Sequence, residues 1–129
     1  MVHKRLTAEM LALIAERLRA LAEPARLQIL NELRSGERTV TDLVEGTGLG
    51  QANVSKHLQL LLAAGFVGRR KDGLYTRYRI ADEDVFRVCE IMCGRLEVEA
   101  RRRRHLLVGS RSKGTPRGAQ LDGSKWPSR

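Results

Sequence analysis

The sequence predicts a mainly α-helical fold with one small β-hairpin, in the order α-α-α-α-β-β-α. Three observations predict it. Apolar residues recur at helical spacing from Met10 to Leu62 and again after Asp82. The period changes to that of extended chain only on either side of Asp72-Gly73. Pro24, Gly36, Gly48, Gly50 and Gly65 fall where one periodic segment gives way to the next. At 129 residues, 42% hydrophobic and 30% charged, the chain suits one soluble globular domain with one core.

Thr7 is placed to cap a first helix that runs to about Ala22, with Met10, Leu11, Ile14, Leu18 and Leu21 on one side. Pro24 suits the first turn of a second helix carrying Leu27, Ile29, Leu30 and Leu33, which stops at Ser35-Gly36. Thr39 opens a short third helix, with Asp42 three residues on as a capping box, and Gly46 and Gly48 end it. After the tight Gly48-Leu49-Gly50 connection, a fourth helix runs from about Gln51 to Ala64 and Gly65 stops it. Phe66 to Lys71 reads as a strand, Asp72-Gly73 as the hairpin turn, and Leu74 to Ile80 as the returning strand. Asp82 is expected to cap a long last helix that reaches about Leu107. Two helices joined by a Gly-bearing turn and followed by a hairpin make a winged helix-turn-helix. The domain is expected over residues 7–107, with a basic tail at 108–129 whose Gly, Ser, Pro, Lys and Arg lack apolar periodicity and imply disorder.

The last helix is apolar on two sides: Val85, Val88, Cys89, Met92 and Leu96 form one stripe, and Phe86, Ile91, Cys93 and Val98 lie off it. A helix apolar on more than one face must bury the second somewhere, and a second copy of the chain is the economical partner. No run of about 18 apolar residues spans a bilayer. Glu16, Arg17 and Arg19 interrupt the N-terminal apolar residues, so no signal peptide is read there and a cytoplasmic protein is expected.

The net charge of +9 is unevenly placed. Residues 1–55 are neutral overall, whereas Lys56, Arg69, Arg70, Lys71, Arg77 and Arg79 face Asp72 alone in residues 56–79. Such a concentration suits a phosphate-binding face; the alternative is charge for solubility alone. On a wheel of about 100° per residue, Val54, Leu58, Leu61 and Leu62 of the fourth helix share a core side, with Asn53 and Lys56 nearly opposite. Amides and an ammonium on the first two turns can meet base edges and phosphates in a major groove, although an ordinary solvated face would look similar. The candidate contacts are Gln51, Asn53, Ser55, Lys56, His57 and Gln59. His57 suits either a DNA contact or local packing. On the hairpin, Arg69, Arg70, Lys71, Arg77 and Arg79 are candidates for backbone contacts, Arg77 and Arg79 sharing a strand face.

Three stretches belong together: Leu21-Ala22-Glu23-Pro24-Ala25-Arg26-Leu27-Gln28-Ile29-Leu30, then Val54-Ser55-Lys56-His57-Leu58-Gln59-Leu60-Leu61, and Ala64-Gly65-Phe66-Val67 with the Asp72-Gly73 wing and Tyr78-Arg79-Ile80. With them the chain resembles the ArsR family of bacterial transcriptional repressors over about residues 10–100. The resemblance implies a homodimer joined through the first and last helices. It also implies binding to double-stranded operator DNA, release by an effector, and no catalysis. Many metal-sensing members carry Cys-Val-Cys at the start of the third helix; here Thr39-Val40-Thr41 stands there, and hydroxyls cannot replace thiolates for a soft metal. A second common sensor site uses Asp and His on the last helix, which offers Asp82 and Asp84 but no histidine before His105. Cys89 and Cys93 share a helix face at i and i+4. Paired across a dimer axis they would gather four thiols, enough for a soft metal ion or for oxidation; otherwise both are small core residues.

No paired-carboxylate, Ser/His or Gly-rich phosphate constellation suggests an enzyme. A repressor released by an effector is the first expectation, and one governed by redox or by expression level is a variant of it. A winged helix that binds another protein is the alternative from a different class.

Overall fold

The structure is a computed structural model that describes residues 5–110. Its elements are α1 (Ala8–Leu21), α2 (Pro24–Leu33), α3 (Val40–Thr47), α4 (Gln51–Ala63), β1 (Val67–Asp72), β2 (Tyr75–Ile80) and α5 (Asp84–Ser110). The expected order holds throughout, and the fold is the winged helix-turn-helix. The chain divides into two compact units, one ending at Asp82 and the other beginning at Glu83.

Within the first unit, local chemistry sets each boundary. The Thr7 hydroxyl accepts a hydrogen bond from the Met10 amide at 3.1 Å, satisfying one of the orphan donors of the first turn of α1. Pro24 occupies the first turn of α2, where a missing N–H costs nothing. At α3 the capping box is complete: Thr39 Oγ1 accepts from the Asp42 amide at 3.2 Å, and Asp42 Oδ2 accepts from the Thr39 amide at 3.0 Å. The Thr39 amide first, and the Thr39 side chain next, hold the Asp42 carboxyl below its ordinary range by hydrogen bonding. Gly48 ends α3 in the left-handed region at φ 76°, and its amide donates to the Val44 carbonyl. The turn into α4 is fastened by Thr47, whose hydroxyl donates to the Leu43 carbonyl at 2.6 Å and accepts from the Leu49 amide at 3.2 Å.

Helix α4 closes in a Schellman motif. The Gly65 amide reaches the Leu62 carbonyl and the Phe66 amide reaches the Leu61 carbonyl, with Gly65 at φ 83°. The hydrophobic contact expected of that motif is available because Leu61 and Phe66 are both buried. Arg17 of α1 secures the same corner: it donates to the Ala64 carbonyl at 2.9 Å, pairs with Asp82 at 2.8 Å, and lies 4.4 Å from the centre of the Phe66 ring. The core of this unit is Ile29, Leu30 and Leu33 of α2, Leu43 of α3, Val54, Leu58 and Leu61 of α4, and Phe66, Val67 and Tyr78 of the hairpin region.

Three expectations about boundaries are corrected. The strands pair antiparallel from Val67 with Ile80 to Asp72 with Tyr75, so Gly73-Leu74 is the two-residue turn and Asp72 belongs to β1. Gly73 supplies the single positive φ at 64°, and Leu74 needs none, as in a turn with Gly at its first central position. Helix α5 begins at Asp84, two residues after Asp82, whose carboxylate meets Arg17. It also runs to Ser110, so residues 108–110 continue the helix; the rest of the expected tail lies outside the described residues.

The hairpin is also tied to the segment between α2 and α3. Arg38 and Tyr78 exchange both backbone hydrogen bonds, at 3.0 and 2.8 Å, so Arg38 acts as a short third strand. Helix α1 leaves Met10, Leu11, Leu13 and Leu18 about half exposed. In the second unit, Val85 and Phe86 are buried at the start of α5, whereas Ile91, Met92, Leu96 and Leu106 are exposed. No helix among the described residues is long and apolar enough to cross a membrane.

Replacing Thr39 with Ala should lower stability by about 1 kcal/mol, the usual cost of losing a cap. Urea unfolding should show an earlier midpoint at unchanged slope, and an unshifted midpoint would mean that the capping box contributes nothing.

Candidate nucleic-acid interface

Val54, Leu58 and Leu61 are completely buried, and this fixes the rotation of α4 about its axis. The opposite side consequently faces outward. Gln51, Asn53, Lys56 and Gln59 are exposed, and Ser55 and His57 are half-buried. The first two turns thus present three amide side chains and one ammonium, immediately after a turn short enough to hold α3 and α4 at a fixed angle.

His57 is engaged within the protein. Its Nδ1 lies 3.2 Å from Nη1 of Arg26 on α2. Burial first, and the Arg26 charge next, hold the imidazole below its ordinary pKa, with Glu23 opposing. In the sequence, Arg26 belongs to the stretch that carries the family resemblance. Its partner lies 31 residues away, and no local periodicity signals such a link.

The hairpin register sorts the basic residues onto two faces. Arg70 stands directly opposite Arg77, and Gly68 opposite Arg79, so these three arginines share one face. Two like charges facing each other repel, and carboxylates relieve the repulsion. Glu37 takes Arg70 in a forked pair, with Nη2 at 2.8 Å and Nε at 3.0 and 3.1 Å from its oxygens. Asp72 takes Arg77 at 2.7 Å. Each carboxyl is held below its ordinary range, chiefly by the hydrogen bond to its arginine. A Cβ on Gly68 would meet the Arg79 guanidinium at 2.9 Å, so the missing side chain makes room for that arginine. Arg69 and Lys71 lie on the other face, exposed and without an ion-pair partner among the described residues. The count of charges along the chain set Asp72 alone against this cluster and missed Glu37, which lies 33 residues before Arg70.

Leu74 stands at the wing tip, 98% exposed. The positions that would hold a cysteine pair in many metal-sensing members serve α3 differently: Thr39 is its N-cap and Thr41 lies in its first turn. Cys89 and Cys93 are half-buried thiols on α5. The Cys93 thiol donates to Glu97 Oε1 at 3.4 Å, and this bond, with some burial and the carboxylate's charge, pushes its pKa up. Glu97 is thus the charged group that meets the Cys93 thiol. Among the described residues, no three His, Cys, Asp or Glu side chains cluster as a metal site.

A winged helix-turn-helix with an outward-facing, polar second helix and a basic hairpin defines a class of regulatory proteins. The family model described as "Bacterial regulatory protein, arsR family" matches residues 23–68. The chain is 45% identical over 67 residues to the "Probable mercury resistance operon repressor" of Streptomyces lividans, covering 52% of this chain and 54% of that protein. It is 43% identical over 74 residues to the HTH-type transcriptional repressor SmtB of Mycobacterium tuberculosis, covering 57% of this chain and 55% of the relative. The chain thus spans about half the length of these curated relatives. Among solved structures, it is similar to a homodimeric winged helix-turn-helix DNA-binding domain from Mycobacterium bovis, with a TM-score of 0.59 and 36% identity over 82% of this chain and 94% of that one. The chain belongs to the ArsR family of regulatory proteins.

Replacing Glu97 with Gln should lower the Cys93 pKa and raise its thiolate fraction near pH 8. Alkylation by iodoacetamide, followed site by site by mass spectrometry, should accelerate at Cys93. An unchanged Cys93 rate would show that Glu97 does not hold the thiol proton.

Proposed function

We propose that the protein is a homodimeric transcriptional repressor that binds double-stranded operator DNA. In this reading α4 lies in the major groove and the β1–β2 wing lies along the backbone. The observation that carries the reading is the exposed row Gln51, Asn53, Lys56 and Gln59 on a helix whose other side is locked in the core. Amides bond bidentately to adenine, and an ammonium serves guanine or phosphate. Arg69 and Lys71, lacking carboxylate partners, supply phosphate contacts first; Arg70 and Arg77 would have to leave or share Glu37 and Asp72.

Family membership supports this reading, as does the naming of the Streptomyces and Mycobacterium tuberculosis relatives as repressors. The Mycobacterium bovis domain is described as homodimeric, and the exposed apolar side chains of α1 and of α5 offer this chain surface for the same assembly. Such a protein works on DNA in the cytoplasm and needs no catalytic group. Release by an effector follows from the same kinship. Cys89 and Cys93 are the thiols on which a soft metal ion or an oxidant would act, with a second copy supplying further ligands and Glu97 giving up its hold on Cys93.

Replacing Asn53 or Lys56 with Ala should weaken binding to a selected duplex by about 1–3 kcal/mol each while circular dichroism stays unchanged. Parental affinity in both variants would refute the assignment of this face. The wing gives a prediction of opposite sign: Glu37→Gln releases Arg70, so affinity for all duplexes should rise and the salt dependence should steepen by about one unit in log–log slope. A shallower slope would mean that Glu37 serves DNA binding by holding Arg70 in place. Binding that ignores salt altogether would favour a protein partner over DNA.

A further inference from the structure

We propose that Arg26 is a positioning residue for the DNA-reading helix, tying α4 through a neutral His57 to the C-terminal end of α1. This rests on the DNA-binding reading above. The last carbonyls of α1 lack i+4 amide partners, although that of Arg19 also accepts from the Ala22 cap amide at 3.2 Å, and a cation there meets the negative end of the helix dipole. Arg26 fills that position: its Nε donates to the Ala20 carbonyl at 2.6 Å and its Nη2 to the Arg19 carbonyl at 3.1 Å. The third donor, Nη1, is directed at His57 Nδ1 at 3.2 Å. One planar group therefore joins the end of α1 to the middle of α4.

The chemistry of this link has a direction. A guanidinium only donates hydrogen bonds, so Nδ1 must be the acceptor and the ring proton must sit on Nε2. Protonating Nδ1 would remove the acceptor and set an imidazolium against the guanidinium. The charged groups around the ring are Arg26 of α2, Glu23 just before that helix, and Lys56 of α4, and α1 contributes the two carbonyls held by Arg26. His57 follows Lys56 directly and precedes Gln59 by two residues, so the hold on its ring steadies the pose of both that the buried Val54, Leu58 and Leu61 define. Helix α1 also carries the half-exposed Leu11 and Leu18 that the homodimer reading buries. The link accordingly relates the dimerising surface to the reading helix, on which the spacing of two half-sites depends. A lysine cannot span three acceptors in one plane, so Arg26→Lys is not a conservative change here.

The sign of the pH effect separates this role from its alternatives. A histidine resting against phosphate gains charge on acidification and binds DNA more tightly. His57 held as an acceptor does the reverse. The sign for stability agrees: a folded-state pKa below the unfolded value of about 6.5 makes the contribution complete above that value and lost as pH falls through the folded pKa.

The test uses the full chain and a duplex selected from a random pool. Nitrogen-15 spectra of the DNA-free protein at pH 7.5 should show His57 Nδ1 unprotonated. Parental affinity should fall about three- to tenfold between pH 7.5 and 5.5, the scale of one lost hydrogen bond. His57→Asn keeps an acceptor at the Nδ1 position without titrating, and should flatten that fall and bind more tightly than His57→Leu. Arg26→Gln should weaken binding at pH 7.5 and reverse the pH trend. Should Arg26→Gln fail to fold, the two His57 variants decide by the same comparison. A parental affinity that rises on acidification, or equal binding by His57→Asn and His57→Leu, would overturn the proposal. A protonated Nδ1 in the free protein removes the Arg26 link alone, whereas a parent that binds no duplex at any pH removes the DNA-binding reading and this role with it.

Discussion

Val54, Leu58 and Leu61 of α4 are completely buried, and their spacing leaves the helix one rotation about its axis. Burying each such side chain contributes roughly 1.5–3 kcal/mol, so turning the helix to hide Asn53 and Lys56 would cost several kcal/mol. It would also strand their polar groups away from water. Against this, the outward pose costs little, because amides and an ammonium are well solvated. The surface offered to a groove is thus a consequence of the core. The Thr47 hydroxyl bonds in the turn before α4 and the Schellman motif at its end bound that surface.

The wing obeys a second constraint, electrostatic in origin. The register places Arg70 and Arg77 face to face, and Glu37 and Asp72 offset their repulsion. These pairs are exposed, so they add little to stability. Their effect is to divide the basic residues into two groups, with Arg70 and Arg77 braced and Arg69 and Lys71 open to an anion. The Arg38 backbone bridge to Tyr78 anchors the same hairpin to the segment leading into α3. The wing therefore has a defined pose in the free protein, which on the proposed reading lowers the ordering cost of binding DNA.

Local chemistry was legible in the sequence. The Thr39-Asp42 capping box, Pro24 in the first turn of α2, the left-handed Gly48 and Gly65, and the polar side of α4 all follow from spacings of four residues or fewer. The turn lies one residue later than Asp72-Gly73 implies, since Asp-Gly commonly fills both central positions of a hairpin turn. Here Gly73 takes only the first, leaving Asp72 in the strand to meet Arg77. What stayed hidden lies far apart in sequence. The Arg26–His57 and Arg70–Glu37 contacts span 31 and 33 residues, and neither a hydrophobic period nor a count of charges carries that information. Glu97 is only four residues from Cys93, yet among several nearby charges the sequence does not reveal which one meets the thiol.

The central claim, that two copies of this chain read duplex DNA through α4, is tested most directly by selection from a random duplex pool followed by hydroxyl-radical footprinting. The account predicts enrichment of an inverted repeat. Its two protected half-sites should lie on one face of the duplex, with centres about 10 base pairs or a multiple of that apart. Enrichment of no sequence, or of a single unrepeated site protected by one copy, would contradict it.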